Sequence, residues 1–332
     1  MDNIKNLHHK IADEASTRLG KVRETIAVGR TASQFSAVQA LSNPFFMIGI
    51  PGSVHIMKLN ARYIPENVNL VLILNGMDEW EEEKARYLLK PKGVIKIKND
   101  RMISHGKVLD MLFDNVLKPF GILDYDCFVF NSSLFQNIKK LEPGVMLNSA
   151  FYKDSPIFGK TPHTFFCFFQ TGTIRTIREK YKVDCGITDF SKKIPQKAVR
   201  QLMKIGIYEK NYPESGKNYF DTLRLIVSLG ISEGYSCQYL DLHSTNSTQN
   251  PDVFHVGGVA NPNSTYGWWS VRGSYFWWRA LETCEDNDIV HNYYEKYGKR
   301  NSCDIFEGFP DYKQQTKQEY FDIVEKIVSS EY

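Results

Sequence analysis

From residue 44 onward the chain alternates short, continuous apolar runs with stretches of helix-like periodicity. FFMIGI at 45–50 ends in Pro51-Gly52-Ser53, and NLVLIL at 69–74 ends in Asn75-Gly76. Runs of that length, closed by turn residues, predict buried parallel strands. Between them, His55 to Tyr63 is compatible with a helix, and DEWEEEKARYLL at 78–89 opens with the acidic residues a helix N-terminus prefers. A third apolar run, GVIKIK at 93–98, is followed by a helical pattern, HGKVLDMLFDNVL, and then by FGILDYDCFVF at 120–130, a strand interrupted by two aspartates. This succession predicts an α/β fold with a mainly parallel sheet flanked by helices, in which ligands gather at the carboxyl ends of the strands.

The two flanks of this region read differently. Ile4, Leu7, Ile11, Leu19, Val22 and Ile26 have helical spacing, so residues 1–42 are expected to form a helical extension. The body divides into halves at 43–150 and 151–332. The second half holds an aromatic strand pattern, HTFFCFFQT, a lysine-rich connector at 192–204 and a helix candidate, DTLRLIVSLGISEG. An Asn/Ser/Thr-rich loop at 243–251, VFHVGGVA and a closing helical stretch, QEYFDIVEKIVSS, follow.

Composition narrows the classes. Of 332 residues, 42% are hydrophobic, enough for a sizeable core. Lys and Arg (41) nearly balance Asp and Glu (38), so the net charge of +3 gives no field suited to nucleic acid. The six cysteines form no CxxC pair and read as reduced and structural. No stretch approaches the roughly 20 apolar residues of a membrane helix, and the N-terminus lacks a signal-like apolar region, which together predict a cytoplasmic protein.

The chemistry concentrates at Asp124-Tyr125-Asp126. Two carboxylates in an apolar strand carry a desolvation cost that a divalent cation would compensate, and carboxylate oxygens suit Mg²⁺ and Mn²⁺. Aspartates in a strand-terminal turn are the plainer alternative. His255, before Gly257 and Gly258, is a candidate imidazole ligand, or a core histidine beside a glycine turn. Asp221, before an apolar helical pattern, could serve as a general base or merely as a helix N-cap.

With these features the chain resembles the GT-A glycosyltransferases, in particular the large inverting family that includes cellulose and chitin synthases and bacterial rhamnosyl- and glucosyltransferases. The resemblance covers roughly residues 44–285. It implies a GT-A (Rossmann-like) fold with a nucleotide-sugar-binding half ending in the Asp-x-Asp motif and an acceptor-side half beyond it. It further implies that Mn²⁺ or Mg²⁺ is held by Asp126 and His255, with Asp124 indirectly or through water, against the diphosphate of a nucleotide sugar, Tyr125 lying beside it. Asn75 and Asp78 match residues that contact base and ribose, and Pro51 and Gly52 would border the base. Ser104-His105-Gly106 with Leu109-Asp110 is similar to a pattern preceding the motif, which brings His105 and Lys107 towards the diphosphate; a helix N-cap is the alternative. Asp221, 95 residues beyond Asp126, matches the location of the catalytic aspartate. Arg272 would help to neutralise the departing nucleoside diphosphate. Trp268, Trp269, Trp277 and Trp278 could form a sugar platform or pack a core.

The likeness departs in two places: the first strand carries no acidic residue, and the Glu-Asp and Gln-x-x-Arg-Trp motifs of processive synthases are missing. That argues against polymer synthesis. The expected partners are a nucleotide-diphosphate sugar and a glycan, lipid-linked or protein acceptor, with no nucleic acid, and the terminal helices leave room for a homodimer. A retaining transferase or a non-catalytic sugar- or nucleotide-binding module would share the metal site. A sugar-phosphate nucleotidyltransferase would need an Arg that GIPGSVHIMK lacks.

Overall fold

A computed structural model describes residues 24, 26–27, 29–97, 99, 101–155, 159–190, 194–210, 219–242, 251–264, 266–307, 311 and 316–329. The helical spacing expected from Ile4 to Val22 and nearly all of the 243–251 loop lie outside these residues.

The first strand β1 (Phe45–Gly49) leads into α1 (Val54–Ala61), β2 (Leu70–Leu74), α2 (Glu79–Leu89), β3 (Gly93–Lys96), α3 (His105–Asn115) and β4 (Phe120–Leu123). The expected alternation is therefore present. β1, β2 and β3 pair in parallel, and β4 pairs in parallel with β1 on its other side. Both faces of these strands are covered: Phe45 and Met47 enter one core, Phe46 and Ile48 the other, and β2 divides in the same way. Two-sided burial is why the strands read as unbroken apolar runs.

FGILDYDCFVF is not one strand. The chain turns at Asp124–Asp126, and β5 (Cys127–Val129) leaves the main sheet to pair antiparallel with β11 (Val253–His255). Beyond it come β6 (Val145–Ser149), a hairpin of β7 (Tyr152–Ser155) and β8 (Gly159–Pro162), β9 (Phe166–Phe169), and β10 (Ser236–Tyr239). The seven-stranded sheet runs β10-β6-β9-β4-β1-β2-β3, and β9 is antiparallel to both its neighbours. Strands from both sides of residue 150 thus share one sheet.

Helices α4 (Thr171–Tyr181), α5 (Gln196–Lys204) and α6 (Arg224–Ser232) contribute to the core that includes Phe46, while α7 (Gly267–Glu282), α8 (Asn287–Tyr297) and α9 (Lys317–Ser329) contribute to the core that includes Phe45. The lysine-rich connector is itself largely helical: α5 buries Ala198 and Leu202 and leaves Lys197, Arg200 and Lys204 exposed. At the free edge of the sheet, Gln34 satisfies β3, its Nε2 donating to the Lys96 carbonyl and its Oε1 accepting from the Lys96 N–H, both at 2.8 Å. Such cover blunts an edge strand that would otherwise pair with another chain.

The order in which strands are added reverses at β1, with β2 on one side and β4 on the other, all three parallel. A crevice opens at the carboxyl end of such a switch point. Ile48, Ile50, Asn75 and Asp124 all line a cavity there.

Candidate functional site

The Asp124–Asp126 turn is held from three directions. Asn60, fully buried in α1, shares its amide N–H groups among the carbonyls of Asp124 (3.3 Å), Tyr125 (2.9 Å) and Cys127 (3.0 Å). The Asp124 N–H donates to the Phe165 carbonyl at 2.8 Å. From β11, the Val256 N–H donates to the Asp126 carbonyl, and the Gly257 N–H to Asp126 Oδ2 at 2.9 Å.

That strand pairing sets His255 opposite Cys127, one residue beyond Asp126. His255 Nε2 lies 3.4 Å from Asp126 Oδ1 and 3.9 Å from Asp124 Oδ2. One ligand atom from each of the three side chains falls within 4.8 Å of the others. The imidazole is fixed by Phe165, stacked at 3.5 Å and 20°, and the His255 backbone carbonyl accepts from Arg272 Nη2 at 3.1 Å. Gly257 and Gly258 both have positive φ (68° and 72°), and a Cβ on either would overlap Trp269. Their absence of side chains lets Trp269 close over this turn.

Asp126 and His255 are buried, and Asp124 is partly so. Burial, and then the Asp126 charge, push the Asp124 carboxyl well above the usual carboxylate range. Among the described residues, His255 is the one ion-pair partner shown for either carboxylate. Two converging carboxylate oxygens and an imidazole nitrogen make a donor set of the kind that takes Mn²⁺ or Mg²⁺.

Two cavities meet here. An inner one of about 320 Å³ is lined by Asn75, His105, Tyr125 and the Asp-Asp-His group, with Trp269 at its side. An outer one of about 510 Å³ shares His105, Asp124, Phe165 and Trp269 with it and adds His163, Asp221 and Arg224. Asp221 is exposed. It does not cap α6: the N-cap is Leu223, at a left-handed φ of 65°, while Asp221 Oδ1 accepts from the Thr222 N–H at 2.8 Å. His105 begins α3, and its Nε2 is buried with no partner among the described residues. Burial lowers its pKa, opposed by the Asp221 charge.

Most of the remaining candidates stand apart from the inner cavity. Asp78 is the N-cap of α2, in a capping box with Glu81, and pairs with Lys296 at 2.9 Å. Gly52 donates its N–H to the fully buried Glu81 at 2.6 Å and accepts from Trp277 Nε1 at 2.8 Å; Pro51 precedes it in the same turn. Lys107 pairs with Asp110 and Asp184. Arg272 is buried behind His255, its guanidinium 4.9 Å from the Tyr320 ring centroid. Asn75 lines the inner cavity, but both ends of its amide are used, bracketing Ile103 at 2.8 and 3.0 Å. Of the four clustered tryptophans, Trp277 and Trp278 are core, Trp268 packs on Phe306, and Trp269 alone of these lines the cavities. Sequence reasoning missed Asn60 and Phe165. Nothing local marks either, since their partners lie 64 and 90 positions away at Asp124 and His255.

Residues 23–174 match the family described as the StrH glycosyltransferase N-terminal domain. The match takes in Asn75, His105, Asp124 and Asp126 but stops short of Asp221 and His255. A curated relative, the dTDP-dihydrostreptose--streptidine-6-phosphate dihydrostreptosyltransferase of Streptomyces griseus, is 31% identical over 106 residues, which is 32% of this chain. The chain spans 27% of that relative's length. Among solved structures, the glycosyltransferase GlyE of Streptococcus pneumoniae TIGR4 aligns with a TM-score of 0.40 at 15% identity, covering 78% of this chain and 66% of GlyE. Its apo form aligns similarly, at 14% identity. Among the described residues, no helix is long and apolar enough to cross a membrane.

Proposed function

We propose that this protein is a metal-dependent glycosyltransferase, moving a sugar from a nucleoside-diphosphate sugar in the inner cavity to an acceptor hydroxyl presented in the outer one. The observation that carries this reading is the convergence of Asp124, Asp126 and His255 at the mouth of the sheet's switch point. The match of residues 23–174 to a glycosyltransferase family supports it.

Asp126, His255 and, indirectly or through water, Asp124 would hold Mn²⁺ or Mg²⁺. When bound, the ion would neutralise the diphosphate as it leaves. Tyr125 and His105 line the same cavity and would contact the donor, and Trp269 offers an aromatic face to a sugar ring where the two cavities join. Asp221, in the outer cavity, is suited to take the proton of the acceptor hydroxyl as that oxygen attacks the anomeric carbon. That assignment entails inversion. The acceptor is a glycan, a lipid-linked sugar or a protein.

The test is calorimetric titration of UDP-, GDP-, dTDP- and CMP-sugars into the full chain with and without Mn²⁺. One nucleotide class should bind in a metal-dependent manner, and Asp126→Ala should lose at least about tenfold in affinity, as expected when a metal ligand is removed. Equal affinity in wild type and Asp126→Ala would remove the metal assignment. Proton NMR of the product then reads the anomeric centre: retention would sink Asp221 as the base while leaving the metal site standing.

A further inference from the structure

Arg224 opens α6 and lines the outer cavity beside Thr164 and Thr222. It is partly buried, and among the described residues its guanidinium has neither an ion pair nor a hydrogen bond. Two other partly buried cations are paired: Lys107 has Asp110 and Asp184, and Arg178 has Asp110 and Asp114. An unpaired guanidinium that faces a cavity is free to take an anion there, in a forked contact that a neutral group does not match.

We infer that Arg224 recognises an anionic group on the acceptor, a phosphate or a carboxylate, so that the outer cavity selects acidic acceptors. This rests on the reading of that cavity as the acceptor site.

The arrangement around Arg224 fits an acceptor that carries both an anionic group and a hydroxyl. Lys153 is close enough for its charge to act on His163, so a second cation attends the same region. His163 itself stays neutral, its pKa lowered to about 4 by burial and then by Arg224. Asp221 and Asp124 are the carboxylates facing the cavity. Asp221 stands only three positions before Arg224, with its carbonyl accepting the Arg224 N–H at 3.0 Å. An acceptor that placed its anion on the guanidinium would therefore bring a hydroxyl a few bonds away to Asp221. A neutral acceptor that filled the cavity would cover Arg224 without pairing it. A forked guanidinium matches phosphate or carboxylate in a bidentate manner, which ties orientation to charge.

Three probes decide the matter by equilibrium titration into the full chain: glucose, glucose 6-phosphate and glucuronate. Wild type should bind at least one charged probe about tenfold more tightly than glucose, the scale of one charge-assisted hydrogen-bonded pair. Whichever charged probe shows the gap identifies phosphate or carboxylate. Arg224→Gln should collapse the gap to near unity, and Arg224→Lys should keep part of it, with melting curves certifying that each variant is folded. No preference for either charged probe in wild type overturns the inference, and so does a gap that persists in Arg224→Gln. Because this is binding without turnover, it is read independently of the Mn²⁺–nucleotide titration, whose failure would instead count against the transferase reading.

Discussion

Asp124 sits where its charge is costly. Its carboxyl is raised above the unfolded value of 3.8 by burial and by Asp126, so the folded state binds its proton more tightly than the unfolded chain does. Stability contributed by that proton is present at low pH and lost as pH rises through 3.8 and towards the folded value. At pH 7 without metal, Asp124→Asn is therefore expected to melt about 2 °C or more above wild type, the scale of roughly 1 kcal/mol in a chain of this size. The same variant should lose most of the melting-temperature rise that Mn²⁺ gives the parent. Identical melting curves in metal-free buffer would show that Asp124 bears no such penalty. This residue was legible in the sequence because charge in an apolar run is conspicuous. Asp78 was open to a different role because an aspartate after a strand can contact a ribose or cap a helix, and the backbone N–H of Glu81 claims it. Asp221 shows the reverse: a sequence that reads as a helix cap leaves the carboxylate out in a cavity, because the helix begins three residues later, after a left-handed Leu223.

Secondary-structure elements place the site through few contacts, and α1 makes the most economical one. Asn60 alone bonds three carbonyls of the Asp124 turn. Asn60→Ala leaves those buried oxygens with fewer donors, at about 1–3 kcal/mol for an unsatisfied group, and should lower Mn²⁺ affinity by about tenfold, since outer partners orient ligands. Calorimetry with Mn²⁺ reads this directly; full affinity in a folded Asn60→Ala chain would show that the turn is held by β11 instead. The strands of the first half were legible because two-sided burial writes itself as continuous apolar runs. The split of β4 from β5 was not, because the apolar content of FGILDYDCFVF continues past the turn while the backbone changes sheets. Nor was α5, whose buried residues are few beside its exposed lysines and arginine.

Across the whole molecule, the site is assembled from stretches far apart in sequence, and the core that joins them carries its own pH dependence. His55, in α1, is buried against α7 and α8, its Nε2 3.0 Å from the Trp277 carbonyl and its ring edge-on to Tyr293, and burial lowers its pKa to about 3. Its folded value is below the unfolded 6.5, so the unfolded chain takes up a proton first. Stability is complete above about pH 6.5 and falls as the pH drops from there towards 3, by an amount on the order of 4 kcal/mol if His55 acts alone. Urea midpoints measured from pH 7 to pH 4 should fall less steeply in His55→Gln than in wild type; parallel slopes would assign the acid sensitivity elsewhere.

The turn after β1 is stitched to the C-terminal third. Glu81 receives the Gly52 N–H on one oxygen together with the Tyr293 hydroxyl, and Lys296 reaches the other, while Trp277 closes on the Gly52 carbonyl. The stretch that matches the StrH family is therefore not an interchangeable cassette. Its boundary falls in α4, and it omits β10, His255 and every residue of α7 and α8 that holds the Gly52 turn. A chimera that transplanted residues 23–174 alone would inherit the aspartates without the histidine that faces them, and the Gly52 turn without the Trp277 and Tyr293 that close on it. Exchange between relatives would have to carry α7 and α8 along, so the donor side and the C-terminal helices are expected to have changed in concert.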